Sequence, residues 1–215
     1  MSETSAKIVP DLVAIAGSFH ARGWMMGTSG NLSAVVKRDP LCLAMSPSGL
    51  DKGALRPEQF LMIDERGQAV GDHEATPSSE SLLHLRIVKE RDAGAVLHTH
   101  SISSTMLSDL YASAGGLAIE GYEMLKGLAG VATHEHREWL PIIENSQDMI
   151  ALADRVEEVL REHKDAHGFL LRRHGLYAWG DTLAQAQRHV EILEFLLETV
   201  GRTLLIASRS KAAEV

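Results

Sequence analysis

Apolar residues recur along this chain with two spacings, one helical and one alternating. Leu12, Ile15, Ala16 and Phe19 share a face at helical spacing, so residues 8–22 are expected to form a helix that ends at Gly23. Short apolar runs at 32–36, 41–45 and 59–63 read as strands, set off by polar turns at 27–31, 46–49 and 64–67. The helical period returns over 80–91, where Leu82, Leu83, Ile87 and Val88 are apolar and Ser78 or Ser79 is placed to cap. A strand at 95–100, a helix at 102–111, a strand at 140–143 and a helix at 148–163 follow. Two strands at 168–172 and 176–179 flank His174-Gly175, and a long amphipathic helix covers 182–208 with Val190, Leu193, Leu197, Val200 and Leu204. Strands come both as hairpin-like pairs and between helices, which predicts a mixed sheet with helices packed on it. Without a linker, repeat or low-complexity tract, residues 1–215 read as a single domain, its ordered core spanning about 8–208.

Composition narrows the class. The chain has 215 residues, 45% hydrophobic and 23% charged, which suits a globular domain with a sizeable core. A formal net charge of −8 argues against a nucleic-acid partner, because a surface that tracks phosphates is basic. No apolar run reaches membrane-spanning length, and the first residues lack a signal pattern, so a cytoplasmic protein without a membrane partner is expected. Cys42 is the lone cysteine, which removes disulfides and cysteine-rich metal clusters and leaves it the role of a small buried hydrophobe.

Candidate chemistry concentrates at Gly94-Ala95-Val96-Leu97-His98-Thr99-His100-Ser101, an apolar run that leads into two histidines one residue apart. On a strand, residues i and i+2 point the same way, so His98 and His100 present two imidazoles on one side. A catalytic zinc site commonly has three protein ligands and an open position. His174 also stands at the end of an apolar strand and before a glycine, which makes it the candidate third ligand. A histidine simply hydrogen-bonded at a strand end is the competing reading. Thr133-His134-Glu135-His136-Arg137 repeats the i, i+2 pattern, but without an apolar run feeding it, and reads as a solvated loop or edge. His163 and His167 flank a polar turn and read as surface residues, and His84 falls within a helix, at the core edge or behind a ligand.

Three polar turns, Thr28-Ser29-Gly30-Asn31, Ser46-Pro47-Ser48-Gly49 and Pro77-Ser78-Ser79-Glu80, offer hydroxyls, an amide and free backbone N–H groups, which suit an anion. Each read alone is an ordinary turn. Glu80 and Glu123 are the carboxylates of interest, since a carboxylate near a metal can move a proton. Spacing does not choose between them, and it leaves a zinc hydrolase open.

In order, these turns, His98-Thr99-His100 and His174-Gly175 resemble the class II aldolase and adducin-head family over almost the whole chain, about 12–205. Gly94 to Ser101, Glu123-Met124-Leu125-Lys126-Gly127 and Pro141-Ile142-Ile143-Glu144-Asn145 are similar to its dehydratase branch. The resemblance implies a single three-layer α/β domain with a largely antiparallel sheet, and a lyase acting on a small-molecule sugar phosphate. It implies one Zn2+ per subunit on His98, His100 and His174, and a homotetramer with active sites between subunits. Asn31, Ser48, Gly49, Ser78 and Ser79 match phosphate-binding positions, joined by Ser29 and Gly30 of the first turn. Glu80 matches the catalytic carboxylate of the aldolase branch and Glu123 the acid/base of the dehydratase branch, which is preferred for dehydration. An aldolase or epimerase on the same scaffold is the alternative. An interaction module of the adducin type lacks the zinc histidines that are present here.

Overall fold

The computed structural model describes residues 3–71 and 75–213. Helix α1 (Glu3–Ala21) leads into β1 (Asn31–Arg38), β2 (Leu41–Met45) and β3 (Leu61–Asp64). Next come α2 (Ser81–Arg91), β4 (Ala95–Thr99), α3 (Ile102–Leu110), β5 (Gly116–Glu120) and β6 (Arg137–Ile143). Helix α4 (Met149–Glu162), β7 (Gly168–Leu171), β8 (Gly175–Gly180) and α5 (Leu183–Ala213) complete the chain. The strands form one sheet in the order β3-β2-β1-β4-β8-β7-β6-β5. Among the described residues, only the β6–β7 pair is parallel and the other six pairings are antiparallel, so the sheet is mixed and largely antiparallel as expected.

Alternation along the strands builds a core on each face. Leu97, Leu176 and Ala178 face the side covered by α1 and α5, where Leu12, Phe19, Leu193 and Leu197 are fully buried. Val96, Tyr177 and Phe169 face the other side, with Leu83 and Ile87 of α2 and Val156 and Leu160 of α4. The result is a three-layer single α/β domain. Among the described residues, no helix is long and apolar enough to cross a membrane.

Several expectations are corrected. Strand β5, whose Leu117 and Ile119 alternate into the core, is not among the expected elements, and β6 starts three residues earlier than expected because its polar first residues pair with β5 (Glu120 opposite Arg137). Helix α2 is capped by neither Ser78 nor Ser79. Glu80 occupies its N-cap position without a side-chain cap bond, and the Ser78 carbonyl accepts the Ser81 N–H instead. Cys42 is half-buried on β2 rather than enclosed.

Strand direction sorts the molecule into two ends. The C-terminal ends of β2, β4, β6 and β7 lie together with the first residues of β1, β5 and β8, since antiparallel neighbours reverse. β4 is paired on both sides, with Asn31 opposite His98 and Leu176 opposite Thr99. The approach at β8 is close: a Cβ on Gly175 would stand 2.0 Å from the Thr99 carbonyl oxygen. Gly175→Ala is therefore expected to lose on the order of 1–3 kcal/mol of stability through overpacking, read as a lower Tm in thermal denaturation. Gly121→Ala, whose added Cβ meets nothing within 4 Å but adopts φ +80, should cost less, about 1–2 kcal/mol of left-handed backbone strain.

Candidate active site

The three histidines expected from the sequence meet at one end of the sheet. Their Nε2 atoms lie 2.8 Å (His98–His100), 3.3 Å (His98–His174) and 3.1 Å (His100–His174) apart. His98 is fully buried on β4, its ring stacked on Tyr177 with centroids 3.8 Å apart. Its Nδ1–H donates to the Leu176 carbonyl at 2.9 Å, which leaves Nε2 as a bare lone pair. His174 is delivered by the β7–β8 turn, where Arg173 adopts a left-handed φ of 56°. Helix α3 ties that turn down. Ser108 Oγ accepts from the Arg173 N–H, and Thr105 Oγ1 donates to the His174 carbonyl.

Burial, followed by the neighbouring imidazoles and a hydrogen bond to Leu176 that opposes them, holds His98 well below its ordinary range. Burial and then His174 and Lys52 bring His100 down to about 4. Burial also lowers His174, against the Glu80 charge. The three Nε2 atoms converge on one point, and with its proton on Nδ1 each ring would offer an unshared pair there. This donor set fits a divalent ion of the zinc type, with Nδ1–H of His98 held by a carbonyl as metal-bound histidines usually are.

Glu80 joins them. Its Oε1 lies 3.4 Å from His174 Nε2 and its Oε2 3.7 Å from His98 Nε2. Asn31 Nδ2 donates to Glu80 Oε2 at 2.6 Å and to Ser78 Oγ at 3.3 Å. The amide can face that way only if its oxygen has another donor, and His84 supplies it: Nε2–H meets Asn31 Oδ1 at 2.5 Å. Ser33 Oγ then donates to His84 Nδ1 at 2.7 Å. Burial alone lowers His84 to about 3, consistent with this neutral tautomer. Ser33, His84 and Asn31 form one line that aims an amide at the carboxylate.

The three polar turns also converge. Ser29, Gly30, Asn31, Ser48, Ser78 and Ser79 line a cavity of about 160 Å³ with Glu80 and His100. Gly49 stands beside Ser48 with φ +72. Gly30 is required on two counts, φ +73 and a Cβ that would stand 2.8 Å from the His98 carbonyl oxygen. Ser29 Oγ is buried without a hydrogen-bond partner among the described residues. Lys52, which the sequence reading missed, is buried in the same wall and donates Nζ to the Thr28 and Leu50 carbonyls at 2.9 and 2.8 Å. Its signal was a lysine shortly after the Ser-Pro-Ser-Gly turn. The cradle thus combines hydroxyls, amides and a cation, a set suited to a phosphate.

Glu123 is not part of this assembly within one chain. It sits on a 3-10 turn after β5 with its side chain 73% exposed, paired with Lys126 at 2.7 Å and facing His134 at 3.8 Å. β5 lies four strands from β4, about 19 Å across the sheet. Its C-terminal end is also at the opposite end from the histidines.

Two histidine expectations are overturned. His167 is not a surface residue: its side chain is only 13% exposed and bonds Glu138 and the Ala129 carbonyl. His136 is not a freely solvated loop residue, because Glu138 at 2.9 Å holds it half-buried; His134 does remain exposed.

The three-layer domain thus brings three histidines, a carboxylate and a polar, cationic cradle together at one strand end. Residues 10–200 match the class II aldolase and adducin N-terminal domain family, and the chain belongs to it. It is 42% identical over 187 residues to methylthioribulose-1-phosphate dehydratase of Xylella fastidiosa, covering 86% of this chain and 84% of the relative. The Pectobacterium atrosepticum protein of the same name is 44% identical over 200 residues, 93% and 96% of the two chains. The fold is similar to L-fuculose-1-phosphate aldolase of Thermus thermophilus, with TM-score 0.74, 22% identity and coverage of 95% and 98%.

Behind β4, Glu194 of α5 is fully buried, receives the Thr99 hydroxyl and has an unpartnered Oε2. Burial raises its pKa to about 7, against hydrogen bonds from Ser101 and Thr99. A carboxyl raised in the folded state binds more protons than the unfolded chain between about pH 4.5 and 7, so stability falls across that window as pH rises. Glu194→Gln is expected to remove this dependence. Relative to the parent, the variant should gain on the order of 3 kcal/mol between pH 4 and pH 8 in denaturant titrations. An unchanged pH profile would place the ionisation of Glu194 outside this range.

Proposed function

We propose that this chain dehydrates 5-methylthioribulose 1-phosphate to a diketo-5-methylthiopentyl 1-phosphate, as a lyase of methionine salvage in the cytoplasm. One observation carries the reading: bare imidazole nitrogens, a carboxylate and a phosphate-sized cradle share one strand end. The chain is also more than 40% identical, over most of its length, to proteins named for this reaction.

His98, His100 and His174 would hold one Zn2+. Bound there, the ion supplies Lewis-acid polarisation of a carbonyl without redox chemistry. Ser29, Gly30, Asn31, Ser48, Gly49, Ser78 and Ser79, with Lys52, hold the phosphate and fix the carbon chain against the histidines. A glutamate takes the C3 proton of the ketose and returns one to the departing C4 hydroxyl, so that water leaves. Glu123 is the proposed carrier. Its exposure and its place at the far end of the sheet mean that it would serve the histidines of a neighbouring copy. Exposed apolar residues support such an oligomer, a homotetramer by family resemblance: a stripe of Ile102, Met106 and Leu110 along α3, and the consecutive Leu204, Leu205 and Ile206 on α5. Glu80, held by Asn31 beside His98 and His174, is placed to steady the ion or to act as the alternative base.

Zinc-loaded protein incubated with methylthioribulose 1-phosphate should yield a product lighter by one water in mass spectrometry. Glu123→Gln should keep the triad's metal and lower turnover roughly 10²-fold or more, the usual size of an acid–base contribution. Mixing subunits of His98→Ala and Glu123→Gln should give more activity than either variant alone if the glutamate crosses between copies. If Glu80→Gln loses turnover and Glu123→Gln does not, the roles are reversed. The contact of Glu80 with the histidines favours one second reading, an aldolase or epimerase acting on fuculose or ribulose phosphates. Intact methylthioribulose phosphate with metal-loaded protein would select it.

A further inference from the structure

The opposite end of the sheet carries a second convergence of ligand atoms. His136 stands just before β6 and Glu138 is the second residue of that strand, while His167 immediately precedes β7. These two strands are the parallel pair, so their N-terminal ends lie side by side. Glu138 is 1% exposed. Its Oε2 lies 2.9 Å from His136 Nε2 and 2.9 Å from His167 Nδ1, and the three ligand atoms all fall within 4.8 Å of one another.

We propose that His136, Glu138 and His167 form a second site for a divalent cation of the zinc type, separate from the three-histidine site. Two imidazoles and one carboxylate are a donor set such ions accept. Each buried ligand is already oriented through its other atom. His167 Nε2–H donates to the Ala129 carbonyl at 2.8 Å, which directs Nδ1 inward, as the Leu176 carbonyl does for His98. The His167 backbone N–H donates to Glu138 Oε1 at 2.9 Å, which leaves Oε2 for the ion.

Bond lengths of about 2.0–2.2 Å place neighbouring tetrahedral ligand atoms about 3.3 Å apart. The two 2.9 Å separations from Glu138 Oε2 need to open by only a few tenths of an ångström, and the third pair, His136 Nε2 and His167 Nδ1, lies within 4.8 Å. Binding expels the Nδ1 proton of His167 and shifts His136 to its Nδ1–H tautomer, so the ion takes the place of the protons that now bridge to Glu138. His136 and His167 also line a cavity of about 420 Å³, which gives the ion a route in and an open coordination position. The ion would join the starts of β6 and β7 to the Ala129 segment, whose N–H is held in turn by His189 Nε2 at 3.1 Å.

The test is metal stoichiometry of the full chain after equilibration with Zn2+ and removal of free ion, with Co2+ absorption as a second reading. The parent protein should hold two equivalents. A His98→Ala/His100→Ala variant should keep one, and its Co2+ form should retain visible absorption. Glu138→Gln should fall from two to one; if it does not fold, His136→Ala, at a half-exposed side chain, replaces it with the same expectation. His134→Ala should leave two. Zero metal in the His98/His100 variant overturns the proposal, as does an undiminished count after Glu138→Gln or His136→Ala. Loss of the second ion in His134→Ala also overturns it, because the exposed His134-Glu135-His136 pair would then be the binder.

Discussion

Pairing of β4 on both its edges is the constraint from which the reactive end follows. β1 and β8 run against it in registers that finish at one level, so Asn31, His98 and Leu176 become neighbours although 31 and 176 are far apart in sequence. The fit leaves no space for side chains at two points, and Gly30 and Gly175 fill them. A histidine on such a strand is held by hydrogen bonds on both sides and by a stacked tyrosine beneath. The donor atoms are therefore in place before anything binds, and little ordering entropy remains to be lost when it does.

Electrostatics then dictates the protonation states. Three imidazoles with nitrogens about 3 Å apart cannot all be charged in a buried setting, and burial together with mutual repulsion keeps them neutral. Glu80 adds a negative charge at their rim. Its carboxylate is steadied by Asn31, whose amide orientation depends on His84, whose tautomer depends on Ser33. Helix α2 forgoes a side-chain cap as a result: the residue at its N-cap position turns its carboxylate to the histidines instead. A local preference, ordinarily worth about 1 kcal/mol, yields to the site.

The two ends of the sheet use histidine in opposite ways. At the first, neutral rings offer lone pairs. At the second, His167 faces an acceptor with each nitrogen, the Glu138 carboxylate and the Ala129 carbonyl. Burial works against its proton, and Glu138 outweighs burial and raises its pKa. β7 borders both arrangements, with His167 just before its first residue and His174 in the turn after its last. Glu123 belongs to the far end, which separates it from the three histidines of its own chain.

Features set by a few neighbouring residues are legible along the chain. Helix and strand periods located most elements to within a few residues. The i, i+2 spacing put His98 and His100 on one side, and a glycine after an apolar run marked His174. These features survive folding because they depend on backbone geometry repeated every two or three-to-four residues. Strand β5 escaped because Gly-Leu-Ala-Ile-Glu offers only two alternating apolar positions, Leu117 and Ile119, too short a pattern to stand out beside its pairing with β6. The burial of His167, the wall position of Lys52, the contact of Glu80 with the triad and the separation of Glu123 from it were decided by the tertiary structure alone. Each depends on which strands lie side by side, in which direction and in what register. Those pairings join residues separated by tens of positions, and no local pattern in the chain encodes them.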